Sequence, residues 1–143
     1  ARSSVWPHVV IRGDVNNITI GEETNIQDGT IIHGTHDGPF SPGGSATIIG
    51  NQVTIGHGVI VHACSIEDLS LIGMGSIILD KALVQSNVML GAGSLVPEGK
   101  CLKSGFLYFG RPARQVRALT DKELEQLKYS AQYYHQHSQK HRG

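Results

Sequence analysis

The stretch IGNQVTIGHGVIV, Ile49 to Val61, decides the fold because an aliphatic residue recurs in it every six positions, at Ile49, Ile55 and Val61. Glycine follows the first two of these residues. A period of six matches neither the turn of a helix nor the two-residue alternation of a single strand. It is typical of a short strand followed by a turn, with one aliphatic side chain per repeat directed into a core.

The same period extends over most of the chain. Further aliphatic residues in this phase are Ile20, Ile26, Ile32, Ile66, Ile72, Ile78, Val84, Leu90, Val96 and Leu102. Glycine permits the turn geometry, and β-branched residues suit short strands. Because three repeats bring the chain back above itself, the sequence predicts a triangular all-β solenoid with about 18 residues per coil.

Two interruptions break the period. The step from Val61 to Ile66 is one residue short, and residues 34–47 are rich in Gly, Pro and Ser. We interpret the first as a local slip and the second as a loop that projects from the coil.

The solenoid is predicted to cover residues 1–109, followed in 110–143 by an irregular crossover and a C-terminal helix that packs on it. Thr120 as N-cap and Glu123 three residues later form a capping box at the start of that helix. The chain begins without Met and inside a patterned segment, so we expect the natural protein to have further N-terminal coils.

Composition narrows the classes of partner. Lys plus Arg and Asp plus Glu both number 12, which argues against nucleic acid or a membrane surface as partner. No apolar run approaches the roughly 20 residues that cross a bilayer. Two cysteines are too few for a disulfide framework, so we expect a cytoplasmic protein.

Three histidines are candidate metal ligands. Restoring the register after the loop stacks Val61 on Ile32, which places His62 above His33 on rungs about 4.8 Å apart. Two imidazoles stacked in this way can bind one ion at about 2.0–2.1 Å. His57 lies beyond a corner, up to about 16 Å along the chain from His62. The spacing therefore indicates a shared site, with His33 and His62 from one chain and His57 from the next.

The repeat resembles the hexapeptide-repeat proteins, whose fold is a left-handed parallel β-helix. Within them the chain resembles the gamma-class carbonic anhydrases, in particular a bacterial branch of short, cytoplasmic relatives often labelled hexapeptide transferases. The similar segments are VVIRGD (Val9–Asp14), TNIQDGTIIH (Thr24–His33) and IGHGVIVH (Ile55–His62). The resemblance implies a homotrimer with Zn²⁺, or Fe²⁺ or Co²⁺ in its place, held at subunit interfaces by His33, His57 and His62. It implies hydration of CO₂ to bicarbonate.

The resemblance also assigns roles around the metal. It places Gln27 beside the metal-bound water and gives Asp28 the task of orienting a polar network, although Asp28 suits turn hydrogen bonding equally well. It places Arg12 and Asp14 at the subunit boundary as an ion pair. The alternative for this pair is an exposed contact of little energetic value.

The sequence offers few candidate residues for proton transfer. His36 occupies the position of a glutamate proton shuttle in one branch of the family, but a solvent-exposed loop histidine is the alternative. Val15 stands where that branch has a second acidic residue, so we expect slow hydration. Tyr134 on the helix could approach the site, with Tyr133 as the competing residue and core packing as the alternative for either.

Two other functions remain open. Many hexapeptide-repeat proteins transfer acyl groups, and an acyltransferase or thioesterase acting on a CoA thioester would use His36 as its base. A metal-bearing structural trimer without activity is the other alternative. Metal content separates acyl transfer from the other two, and CO₂ hydration separates the enzyme from the structural protein.

Overall fold

The computed structural model describes residues 3–12, 17–34 and 46–130, with Arg12 described by its backbone alone. The chain is a left-handed parallel β-helix of about five coils with one C-terminal helix, which confirms the predicted fold class. Most of the projecting loop lies outside the described residues.

Three sheets form the three faces of the prism, and their strands are numbered in chain order. Face A consists of β1 (Ser4–Val5), β4 (Asn25–Ile26), β7 (Thr54–Ile55), β10 (Leu71–Ile72), β13 (Met89–Leu90), β16 (Phe106–Gly110) and β17 (Ala113–Ala118). Face B consists of β2 (Val10–Arg12), β5 (Ile31–His33), β8 (Ile60–His62), β11 (Ile77–Ile78) and β14 (Leu95–Val96). Face C consists of β3 (Ile18–Ile20), β6 (Thr47–Ile49), β9 (Ser65–Ile66), β12 (Leu83–Val84) and β15 (Cys101–Leu102).

Each coil stacks on the next through parallel strand pairing. The predicted stacking across the loop is confirmed at three positions: Ile20 pairs with Ile49, Ile26 with Ile55 and Ile32 with Val61. The register of the coils is therefore the same before and after the residues that interrupt the repeat.

The aliphatic residues of the repeat form a continuous buried column inside the prism. Its buried members are Ile26, Ile32, Ile49, Ile55, Val61, Ile66, Ile72, Ile78, Val84, Leu90, Val96 and Leu102. Threonines at the corners connect neighbouring coils through their hydroxyls. Thr24 Oγ1 donates to the Gly50 carbonyl at 2.6 Å and accepts from the Val53 amide at 3.2 Å. The polar groups of the turns are thus satisfied beside an apolar interior.

We expect Ile72→Val to lower the free energy of unfolding by about 0.5–1.5 kcal/mol, because it removes one methyl group from the fully packed column. Ile48→Val is the matched control, since Ile48 lies on the outer side of β6 and is exposed. Urea unfolding with equal m-values would measure both changes. Equal losses in the two variants would contradict the assignment of Ile72 to the core.

The predicted irregular crossover after the solenoid is wrong. β16 pairs in parallel with β13 and then antiparallel with β17, so residues 106–118 form a hairpin that extends face A. A turn containing the cis peptide bond between Arg111 and Pro112 joins the two strands. The hexapeptide signal fades here because an aromatic residue, Tyr108, takes the column position above Leu90.

The predicted capping box is confirmed at the start of helix α1, which is described over residues 121–130. The Glu123 amide donates to Thr120 Oγ1 at 3.1 Å, and the Thr120 amide donates to Glu123 Oε1 at 3.0 Å. The Arg117 guanidinium also binds this carboxylate and, as the largest cause, lowers the pKa of Glu123 to about 2. Leu127 is the buried residue of this helix within its described part.

Candidate metal-binding site

His33 and His62 end neighbouring strands of face B and face each other. Ile32 and Val61 point into the core, so the following histidines point outward, as the two-residue period of a strand requires. The two histidines are paired in register, and His33 Nδ1 lies 3.1 Å from His62 Nε2. The predicted placement of His62 above His33 on the neighbouring coil is confirmed.

The corner that follows the pair is held by the hydroxyl of Thr47, which hydrogen-bonds to the backbone of both coils. Thr47 Oγ1 donates to the His33 carbonyl at 2.9 Å and accepts from the Ala63 amide at 3.1 Å. Ala63 adopts a left-handed φ of 48°, which closes the shortened step between Val61 and Ile66. One buried threonine thus connects the residues at the ends of β5 and β8 and fixes the spacing of the histidines.

The pair fits a shared metal ion. Two imidazole nitrogens bound to one tetrahedral zinc at about 2.0–2.1 Å lie roughly 3.3 Å apart, close to the spacing of the two facing nitrogens. Both histidine side chains are partly exposed, so a cation can reach them. Among residues 3–12, 17–34 and 46–130 of a single chain, no group of three His, Cys, Asp or Glu side chains could hold a metal. A third protein ligand would have to come from elsewhere.

Asp80 contacts the His62 ring on the side away from His33, and this residue was not predicted from the sequence. Its Oδ1 contacts His62 Nδ1. An ionised carboxylate only accepts hydrogen bonds, so Nδ1 is the donor of this contact, and in the neutral ring Nε2 then presents its lone pair towards His33. The available signal was a carboxylate in the corner one coil after His62, displaced by one position because the coil from Val61 to Ile78 has 17 residues.

His57 lies at the opposite end of β8 from His62, in the corner between faces A and B. It is exposed, and its ring meets the edge of Trp6 at a centroid distance of 6.3 Å. The structure therefore brings together two of the three predicted ligands within one chain and leaves the third at the other edge of face B.

Gln27 lies in the coil below His57, as predicted, and is buried at 3% exposure. Its Nε2 donates to Asn25 Oδ1 at 3.2 Å. An open pocket of about 250 Å³ lies on this side of the prism. Its lining residues are Gln27, Thr54, Gly56, His57, Leu71, Ile72, Gly73, Met74 and Ser130.

Asp28 occupies the turn beneath Gly58, whose amide donates to the Asp28 carbonyl at 2.9 Å. In the described part of the chain, Asp28 Oδ1 is buried without a hydrogen-bond partner. That oxygen makes none of the turn hydrogen bonds that we considered as its alternative role.

Of four further predicted site residues, the structure describes the backbone of one and does not describe the other three. Arg12 pairs in register with His33 through the backbone of β2. Asp14, His36 and Tyr134, together with the competing Tyr133, lie outside the described residues.

Cys64 is a buried core residue, two positions after His62. Burial is the main cause that raises the pKa of its thiol to about 12. The thiol therefore stays protonated near neutral pH and is unsuited to act as a nucleophile or metal ligand.

Comparisons with known proteins find close relatives, although no family model matches the chain. Protein YrdA of Escherichia coli is 53% identical over 130 residues, which span 91% of this chain and 71% of that protein. A probable carbonic anhydrase of Methanocaldococcus jannaschii is 42% identical over 132 residues, which span 92% of this chain and 79% of that protein.

The same fold is found among solved structures. A hexapeptide transferase family protein from Anaplasma phagocytophilum superposes with a TM-score of 0.87 at 43% identity, covering 96% of this chain and 77% of that one. Within the described residues, no helix has the length and apolarity that a membrane crossing requires.

Proposed function

This chain belongs to the gamma carbonic anhydrase-like family of hexapeptide-repeat proteins, and from that membership we propose that it is a zinc-dependent enzyme that reversibly hydrates CO₂ to bicarbonate. The observation that carries the proposal is the 3.1 Å approach of His33 Nδ1 to His62 Nε2. Two neutral imidazoles converging from adjacent coils are a suitable part of a zinc site.

Zinc bound by three imidazoles keeps one coordination position open and lowers the pKa of a bound water towards about 7, which supplies a nucleophile for CO₂. Fe²⁺ or Co²⁺ could bind the same donor set, because three histidines select weakly among these ions. We assign His33 and His62 of one chain and His57 of a neighbouring chain as the three ligands.

The third ligand requires a homotrimer, and face B supports one. Its outer surface carries an apolar row, paired strand to strand, of Val10, Ile31, Ile60, Ile77 and Leu95. Three of these residues are exposed in the single chain, whereas parallel sheets usually have both faces covered. His57 and the His33–His62 pair flank this row at opposite edges. A three-fold assembly through face B would therefore bring the two edges of neighbouring chains together.

The remaining predicted residues would orient the substrate water, transfer the released proton or stabilise the subunit boundary. We propose that Gln27 donates to the substrate water from the pocket beside His57 and that the half-buried Asp28 carboxylate orients it. His36 would move the released proton to buffer, and Tyr134 would approach from the C-terminal helix. Arg12 and Asp14 would pair at the subunit boundary. Two free cysteines fit a reducing compartment such as the cytoplasm.

Acyl transfer is the second candidate, because the similar Anaplasma phagocytophilum structure is named a hexapeptide transferase family protein. It would act on a CoA thioester in the cleft between subunits. A trimer that binds metal without catalysis is the third possibility. Both alternatives predict no CO₂ hydration.

Stopped-flow hydration of CO₂ tests the proposal on protein loaded with zinc and, anaerobically, with Fe²⁺. We expect a slow rate that is limited by proton transfer, rises with imidazole buffer and disappears when a chelator removes the metal. His36→Ala should slow hydration in weak buffer and change it little in concentrated imidazole, which replaces the shuttle. A fully metallated trimer without hydration above background in any buffer would refute the proposal.

A further inference from the structure

We propose that Asp80 is a positioning residue that selects the His62 tautomer and holds its Nε2 lone pair towards the metal site. This inference builds on the proposed function, because it assigns a task to a side chain that binds no substrate and no metal. The observation behind it is the contact between Asp80 Oδ1 and His62 Nδ1.

Asp80 is held in place by the backbone of the corner that follows β11. The Lys81 amide donates to the Ala63 carbonyl at 2.8 Å, and the Gly99 amide donates to the Asp80 carbonyl at 3.0 Å. These bonds tie the Asp80 corner to the coils below and above it. The carboxylate is therefore presented to His62 from a fixed backbone.

Asp80 cannot easily be a ligand of the same ion as His33. The two nitrogens of an imidazole point in divergent directions, and Asp80 contacts Nδ1 of His62 whereas His33 faces Nε2. A metal between the two histidines would thus lie on the opposite side of the His62 ring from Asp80. Asp80 is therefore placed to accept a hydrogen bond from His62 and not to bind the metal.

Such an acceptor has two physical consequences. It places the proton on Nδ1, so Nε2 is available without a tautomeric change, and it restrains rotation of the ring about its Cβ–Cγ bond. Outer carboxylate partners of metal-binding histidines typically account for 10–100-fold in metal affinity. A partly exposed ion pair with no role at the site would change metal affinity very little.

The test compares Asp80→Asn with Asp68→Asn, a matched change of a corner carboxylate that accepts from the Asn51 amide on a different edge of the prism. Zinc affinity is measured on the assembled protein by competition with a chromophoric chelator. The tautomer of His62 is read on metal-free protein from nitrogen-15 shifts of its imidazole. We expect Asp80→Asn to lower zinc affinity about 10–100-fold and to shift His62 away from the Nδ1–H form, with Asp68→Asn unchanged in both.

The outcomes separate this inference from the proposed function. Unchanged zinc affinity in Asp80→Asn would overturn the positioning role, whatever the tautomer. If the unaltered protein binds no zinc, the proposed function fails and the tautomer alone decides the role of Asp80. An unchanged tautomer in that case would overturn the inference as well.

Discussion

His33→Ala and His62→Ala should each lower zinc affinity by more than about 100-fold while the solenoid stays folded. Each removes a proposed ligand, and loss of an outer partner of a ligand alone typically costs 10–100-fold. Neither side chain belongs to the buried column, so the core is untouched. Metal analysis after gel filtration measures the loss, and far-UV circular dichroism should be unchanged.

Glu125→Ala is the control for these two variants, because it removes an exposed potential ligand on α1 that is not one of the proposed metal ligands. It should keep the full metal content. Stoichiometric zinc in either histidine variant would show that the ligand assignment is wrong. Loss of zinc together with loss of the circular dichroism signal would mean that the histidines support the fold instead.

Ile60→Asp should dissociate the proposed trimer. Ile60 lies in the middle of the apolar row on face B and is 37% exposed in the single chain, so a neighbouring subunit can bury it. A carboxylate there would be desolvated and would be repeated by symmetry in three copies, which costs several kcal/mol. In the proposed assembly a neighbouring subunit supplies His57, so zinc should be lost together with the trimer.

Ile48→Asp provides the comparison, since Ile48 is 49% exposed at the outer side of face C. We expect light scattering to show the trimer for this variant and a monomer for Ile60→Asp. A trimer that persists with its zinc in Ile60→Asp would place the interface elsewhere on the prism.

The coil register could be predicted because one physical cause sets it. A buried aliphatic column tolerates no shift, so the phase of the repeat fixes Ile32 against Val61 and hence His33 against His62. The hairpin of β16 and β17 could not be predicted in this way. Its strands carry an aromatic residue at the column position and no hexapeptide phase beyond it.

The site was predictable only in part, for two different reasons. Asp80 was missed because side-chain pairing at a corner depends on the backbone direction there, and the step from Val61 to Ile66, which is one residue short, alters that direction. His57 belongs to a set that one chain does not assemble within its described residues. The sequence spacing indicated this separation, but it could not name the surface that joins two chains.

The restored register on the two sides of the loop has an evolutionary consequence. His33 and His62 are 29 positions apart in the chain, yet their geometry follows from the pairing of β5 with β8 and from the Thr47 contacts. Insertions or deletions between Gly34 and Ala46 should therefore change the distance between the two imidazoles very little. Descendant sequences can therefore vary in this segment without rebuilding the pair. The prism in this way separates the part of the chain whose length the histidine geometry constrains from a part whose length it does not constrain.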